Sequence, residues 1–270
     1  MTTVKELVLY TKENGIGIIT LNRPEKLNAL TIAMNARISE ICEEVKRDDE
    51  IRALVITGRG RAFSSGTDMS PADKDGPSNT EQTLGRIKSR RSLFDRSTIW
   101  TILSVPKPTI CALNGAAVGL GAEFSLQCDI RIAAESARWG QVFVMRGWVP
   151  DTGAGTYLLS RIVGLSKTLE LVCSGEIIDA TEMHKIGLVT SVVPDNQLMS
   201  SAITMAKKMS QGAPLAIRLA KELIYRGLER NIEEHHYANS SAFGLLTGTE
   251  DHAEGIRSFL EKREPKWKGR

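Results

Sequence analysis

Residues 107–140 read KPTICALNGAAVGLGAEFSLQCDIRIAAESARWG, and this stretch decides the fold. Thr109 to Leu113, TICAL, lies between Pro108 and Asn114-Gly115 and reads as a strand. Gly115, Gly119 and Gly121 lead into the apolar segment AEFSL, which reads as a helix, and DIRIAA reads as a strand again. Strand, glycine turn, helix and strand in this order describe an α/β core. Upstream, ELVLYTKENGIGIITLNRP alternates apolar and polar residues around Asn14-Gly15, a hairpin signal because a type I′ turn needs positive φ at both positions. Ile32, Met34, Ile38, Ile41, Cys42 and Val45 recur at helical spacing and predict a helix over 30–45, followed by ALVITG as a buried strand. Residues 58–68, GRGRAFSSGTD, form a loop whose glycines let backbone approach a ligand. The polar segment 69–82 is expected to be a loop. A helix over 83–103 would gather Arg86, Lys88, Arg90 and Arg91 on a solvated face. Downstream, helices are expected at 158–163, 169–173 and 182–186, with GLVTSVV a short strand. From 196 to 266 the pattern is helical, broken at Gly212-Ala213-Pro214. The expected organisation is an α/β core over 1–195 and a helical C-terminal region over 196–270.

Composition adds limits. The 270 residues are 41% hydrophobic and 25% charged, with a net charge of +3, too small to call for a polyanion partner yet compatible with a small anionic ligand. The N-terminal residues lack an apolar core with a cleavage site, and no run of about 18 apolar residues occurs, so a soluble cytoplasmic protein is expected. Cys42, Cys111, Cys128 and Cys173 lie in apolar contexts without C-x-x-C spacing, which predicts buried, reduced thiols and no metal site. His184, His235, His236 and His252 fall in polar helical segments and are expected at the surface.

Two glycine turns offer backbone amides, Ser65-Gly66-Thr67 and Val118-Gly119-Leu120-Gly121. Either alone is an ordinary tight turn; two converging would make an oxyanion hole. Glu123 falls in the first turn of the second segment's helix, where a carboxylate suits the helix dipole. Asp151 stands in GWVPDTGAGTYLLSR, residues 147–161, where it is either the N-cap of a helix starting near Thr152 or an acid that does chemistry.

Taken together, LNRPEKLNAL (21–30), RAFSSGTD (61–68), the 107–140 stretch, GLVTSVV (187–193) and TEDHAEGIRSFLEKREPKW (249–267) resemble the enoyl-CoA hydratase/isomerase family, the crotonases. The likeness runs from about residue 7 to 267. It implies a crotonase-like spiral of ββα units followed by an α-helical C-terminal region that mediates oligomerisation, usually as a trimer or dimer of trimers. It also implies an acyl-CoA thioester substrate from fatty-acid metabolism, with coenzyme A part of the substrate and no separate cofactor, metal, nucleic acid or membrane. Matched residue by residue, the amides of Thr67 and Leu120 polarise the thioester carbonyl, with Gly66, Gly119 and Gly121 allowing close approach. Leu120 replaces a common glycine, which leaves the backbone donor intact. Arg61, Ser65, Gly66 and Asp68 match the coenzyme-binding loop, and Phe259 and Lys262 match positions that reach a neighbouring subunit's coenzyme. Ser70 stands where some members carry a lysine.

Glu123 matches the first of two glutamates that hydratases use on water, and Phe143 occupies the slot of the second. Asp151 matches the aspartate of members that move double bonds or isomerise epoxides. The resemblance therefore ranks isomerisation first, with Asp151 carrying the proton and Glu123 as partner acid or orienting group. Phe143 and Trp148 are expected in the acyl pocket, Val144 and Met145 around it, and Phe94, Trp100 and Trp139 in pocket or core. Syn hydration of a trans-2-enoyl-CoA by Glu123 and Asp151 is the alternative within enzymes. A catalytically inactive acyl-CoA-binding scaffold, with the RIKSRR helix as an RNA-binding variant of it, is the alternative outside them.

Overall fold

The computed structural model describes residues 4–69 and 101–270, and the elements are numbered over these residues. A single helical turn, α1 (Val4–Leu7), precedes β1 (Val8–Glu13) and β2 (Ile16–Leu21). These two pair antiparallel from Val8↔Leu21 to Glu13↔Ile16, with Asn14 at φ 50° and Gly15 at φ 77° between them. Helix α2 (Ile32–Arg47) then crosses to β3 (Ala53–Gly58), which lies parallel to β2. Thr31 caps α2, its side chain accepting from the Met34 amide at 3.2 Å, so the helix begins after the residues where the periodicity started. It buries Met34, Ile38, Ile41, Cys42 and Val45, the expected stripe.

Strands β5 (Thr109–Leu113), β7 (Ile130–Ala134) and β10 (Ser191–Val193) complete a six-stranded sheet in the order β1-β2-β3-β5-β7-β10. Each of β3, β5 and β7 passes through a short turn into a strand of a second sheet: β4 (Ala62–Ser64), β6 (Ala116–Val118) and β8 (Arg138–Gly140). With β9 (Ile177–Asp179) these form the order β4-β6-β8-β9. Helix α3 (Leu120–Leu126) follows β6, α4 (Ala154–Val163) and α5 (Leu165–Ser174) follow β8, and α6 (Ala180–Lys185) follows β9. This recurrence is the spiral of ββα units that the resemblance implied.

The inner strands β3 and β5 of the larger sheet are buried along their whole length, which is why they read as largely apolar runs, whereas β1 at the edge is partly exposed. Leu54 and Ile56 of β3 face one core with Met34, Phe63, Leu126 and Trp139. Ala53 and Val55 face another with Ile110, Ala112 and Ile132, closed by Leu198, Ala202 and Ala206 of α7 (Leu198–Met209). Helix α7 is therefore part of the core although it follows residue 195. Beyond it the helices bury little: α8 (Pro214–Gly227) has no buried residue, α9 (Ile232–Thr247) has Ala242, and α10 (Glu250–Glu261) has Asp251 and Ser258.

Four expectations need correction, the first being that residues 58–68, expected as a loop, contain strand β4 (Ala62–Ser64). The last helix stops at Glu261 rather than reaching residue 266, because Lys262 adopts the left-handed conformation at φ 52°. The tail then folds back, and Trp267 Nε1 donates to the Gln211 carbonyl at 2.6 Å. Cys173 is exposed while Cys42, Cys111 and Cys128 are buried. Residues 101–103, expected to end a helix, form a turn. The rest of that helix, with Arg86, Lys88, Arg90, Arg91, Phe94 and Trp100, and Ser70 with the loop after it, lie outside the described residues. His184, His236 and His252 are exposed and His235 is half-buried. Among the described residues, no helix is long and apolar enough to cross a membrane.

Candidate active site

The parallel pairing of β4, β6 and β8 creates the site. Ser64 stands opposite Ala117, and Val118 opposite Gly140, so the three strands end together and release the loops 65–68, 119–121 and 141–143 side by side. The Gly119 amide donates to the Gly140 carbonyl at 3.0 Å, joining two of these loops. The 22–30 segment grips the first loop from its other side. Ser65 N donates to Leu27 O at 2.9 Å, Leu30 N to Gly66 O at 2.7 Å, and Asp68 N to Leu30 O at 2.9 Å. Buried Asn28, at φ 54°, anchors this arrangement. Its Nδ2 donates to Ala62 O at 2.7 Å and Arg59 O at 3.0 Å, while its Oδ1 accepts from Arg23 N at 2.8 Å.

Gly66 has φ +100°, and a Cβ placed on it would lie 2.8 Å from Val118 O and 3.4 Å from Leu120 N. The Ser65–Thr67 turn and the start of α3 are thus in contact, and only glycine permits the approach. Leu120 is the first residue of α3, where no intrahelical acceptor exists. Among the described residues, neither the Thr67 nor the Leu120 amide donates a hydrogen bond. The turn that carries Thr67 thus lies against the first residue of α3, the two segments for which the sequence predicted an oxyanion hole.

Glu123, on the next turn of α3, is fully buried. Its Oε1 accepts from Gln141 Nε2 at 2.8 Å and Gly155 N at 2.7 Å; its Oε2 accepts from Thr152 Oγ1 at 2.5 Å and Ala154 N at 3.0 Å. A carboxylate has about four acceptor positions, and here all are filled. Burial raises the Glu123 pKa, the donors from Thr152 and Gln141 oppose that rise, and the charge of Asp151 adds to it. Four donors converging on one group is the geometry of an ionised carboxylate. Gln141 contributes at a cost, since its own buried Oε1 has no partner among the described residues.

Asp151 is not the cap of the helix that follows. Helix α4 begins at Ala154, its N-cap is Gly153 in the left-handed conformation without a side-chain bond, and Glu123 serves its first amides from α3. Asp151 itself is exposed as a residue, yet its carboxyl is enclosed enough for burial to raise its pKa, with the amides of Asp151 and Thr152 acting the other way. Phe143 is 6% exposed, and its ring lies beside Gly119: a Cβ there would be 3.9 Å from Phe143 Cζ. Trp148 is half exposed, its amide bonded to Phe143 O at 3.1 Å, whereas Trp139 is wholly buried and donates to Ser125 Oγ at 3.0 Å.

Of the coenzyme-binding candidates, Arg61 and Ser65 are exposed beside the loop. The Asp68 carboxylate is engaged by Arg23, which fastens the loop to the 22–30 segment. Phe259, 81% exposed, and Lys262 are at the end of α10. Phe259 borders an apolar groove of about 550 Å³ with Phe243, Leu246, Ile256, Leu260 and Trp267. Sequence reasoning missed Asn28, Gln141 and Thr152. The signal for the last was the run of small residues Gly153-Ala154-Gly155 after Asp151, whose bare amides need an outside acceptor.

Comparison with known proteins bears on this geometry. The model of the enoyl-CoA hydratase/isomerase family matches residues 11–270. A 1,2-epoxyphenylacetyl-CoA isomerase of Escherichia coli K12 is 35% identical over 266 residues, covering 98% of this chain and 99% of its own. A short-chain-enoyl-CoA hydratase of Clostridium acetobutylicum is 35% identical over 259 residues, 95% of each chain. The solved structure of an enoyl-CoA hydratase from Bacillus anthracis matches with a TM-score of 0.87 at 33% identity, covering 98% of this chain and 100% of that one. With the ββα spiral and the converging loops already in place, these matches establish that the chain belongs to the enoyl-CoA hydratase/isomerase family.

Proposed function

We propose that the protein shifts a double bond along the acyl chain of a coenzyme A thioester, with Asp151 as the proton carrier. The observation that carries this reading is the full occupation of Glu123 by four donors. Hydration by two carboxylates requires free acceptor positions to hold a water molecule; Glu123 has none, and Phe143 in the other slot can neither accept nor donate a proton. Asp151 is left as the acid–base group, and the rise of its pKa by burial makes it a better base than an ordinary aspartate.

In this mechanism the Asp151 carboxylate takes a proton from a carbon made acidic by the thioester. The C–H electron pair enters the conjugated system, and the thioester oxygen becomes an enolate oxyanion held by the amides of Thr67 and Leu120. In other enzymes one such donor is worth about 2.7 to 4 kcal/mol. Protonated Asp151 then returns the proton at the other end of the conjugated system, the enolate collapses, and the double bond has moved. Phe143 and Trp148 would border the acyl chain. Arg61, with the backbone of Ser65, Gly66 and Asp68, would hold the coenzyme. Phe259 and Lys262 would serve the coenzyme of a neighbouring copy in a homotrimer or dimer of trimers, with the apolar α9–α10 surfaces in the contact.

The test is a panel of 3-enoyl-, 2-enoyl- and dienoyl-CoA thioesters incubated with the protein in deuterated water. Double-bond migration with deuterium entering the acyl chain is expected. Accumulation of 3-hydroxyacyl-CoA would establish hydration instead, and binding without any turnover would establish a scaffold. Arg61→Ala should weaken binding of acyl-CoA.

A further inference from the structure

The turn that carries Asp151 is tied to α3 at Glu123 by three donors, the Thr152 hydroxyl and the amides of Ala154 and Gly155, of which Thr152 is the side chain next to Asp151. Pro150 restricts the backbone before Asp151. On its other side Thr152 Oγ1 donates to Glu123 Oε2 at 2.5 Å and accepts from Ala154 N at 3.3 Å. Glu123 lies one turn along α3 from Leu120, whose amide is one of the two oxyanion donors. A turn of helix and these hydrogen bonds to Glu123 thus connect the group that would hold the enolate oxygen to the segment of the group that would move the proton. Gln141 and the amides of Ala154 and Gly155 hold Glu123 in place, and any side chain at position 155 would collide with Glu123 Oε1.

We propose that Thr152 is the positioning residue that sets Asp151 relative to the Thr67 and Leu120 amides, acting through Glu123, whose accepted hydrogen bonds hold this register. The proposal rests on the reading of Asp151 as the base. Catalysis is sensitive to such placement, since a misplacement of about 1 Å costs on the order of 10²-fold.

The experiment compares Thr152→Ala, Thr152→Ser and Asp151→Asn in the full-length protein, reading kcat and KM separately on the substrate found with the panel above, together with amide hydrogen exchange of residues 151–155 in the free protein. For Thr152→Ala the expected result is a fall in kcat of about tenfold or more, KM within about twofold, and exchange at Ala154 and Gly155 about tenfold faster. Thr152→Ser, which restores the hydroxyl, should stay within about twofold of the parent on every measure. A Thr152→Ala variant with unchanged kcat, a loss confined to KM, or a serine variant as impaired as the alanine one would each overturn the assignment. Asp151→Asn separates the two levels. If it keeps its turnover, the reading beneath the proposal fails; if it is inactive while Thr152→Ala is untouched, only the role of Thr152 fails.

Discussion

Gly66→Ala tests whether the two glycine turns form one oxyanion site. The native φ of +100° is a conformation that alanine resists, at about 1–2 kcal/mol on the scale of left-handed backbone. The new methyl would also stand 2.8 Å from Val118 O, well inside ordinary contact, so the 65–68 loop and the start of α3 must separate by roughly 0.5 Å. Together these predict a loss of about 2–4 kcal/mol of stability, and so a fall in Tm of roughly 5–15 °C for a chain of this size. The same separation moves the Thr67 amide away from the Leu120 amide. Oxyanion donors work within about 2.7–3.1 Å, and losing one costs about 10²- to 10³-fold in kcat, so partial misplacement should cost about 10- to 100-fold. Calorimetry supplies Tm, and initial rates on the substrate from the thioester panel supply kcat and KM. If Tm falls as expected while kcat stays within about twofold, the amides do not stabilise the enolate. If Tm does not move, the close approach of the loops is wrong.

Three further perturbations follow from the same geometry. Glu123 has its pKa raised by burial, so the native state holds that proton more tightly than the unfolded chain; the associated stability is complete below the ordinary value of 4.5 and is lost as pH rises through the raised native value. Urea unfolding of Glu123→Gln across that window should lack this slope, and identical slopes in variant and parent would contradict the attribution. Asn28→Ala removes the bonds to Arg59 O, Ala62 O and Arg23 N and leaves buried groups unpaired, for an expected loss of about 3–5 kcal/mol in urea unfolding; a loss under about 1 kcal/mol would show that the loop is held otherwise. Phe143→Glu restores a carboxylate beside Gly119 but leaves all four donors on Glu123, so chromatography should detect no 3-hydroxyacyl-CoA from a 2-enoyl-CoA; its accumulation would show that the occupation of Glu123 does not exclude water.

What was legible in the sequence was local. Asn14-Gly15 specified its hairpin because few residue pairs accept two positive φ values, and both are positive in the structure. The inner strands were readable because burial on both faces leaves few polar positions, and those present, Thr57, Thr109 and Arg131, are buried and hydrogen-bonded. Cys173 was misjudged because an apolar neighbourhood says nothing of phase: α5 buries Thr168 and Leu171, and Cys173 falls on the opposite face. The start of α4, expected near Thr152, falls at Ala154, and its cap was not readable because Gly153-Ala154-Gly155 has no capping side chain of its own. Its cap comes from Glu123, 31 and 32 residues away from the two helix amides that donate to it, a contact that no local pattern encodes. That same contact recast the choice at Asp151. The sequence offered cap or acid; the structure assigns the cap to Glu123.

The most direct test of this account is Asp151→Asn assayed in deuterated water on the thioester that the parent isomerises. Asparagine keeps the size of the side chain and removes the proton acceptor, while Glu123, Thr152 and the Thr67 and Leu120 amides are left in place. The account predicts a folded protein that still binds the thioester and has lost both double-bond migration and deuterium incorporation by about 10²-fold or more, the scale of a lost general base. Turnover and exchange within about twofold of the parent would contradict it.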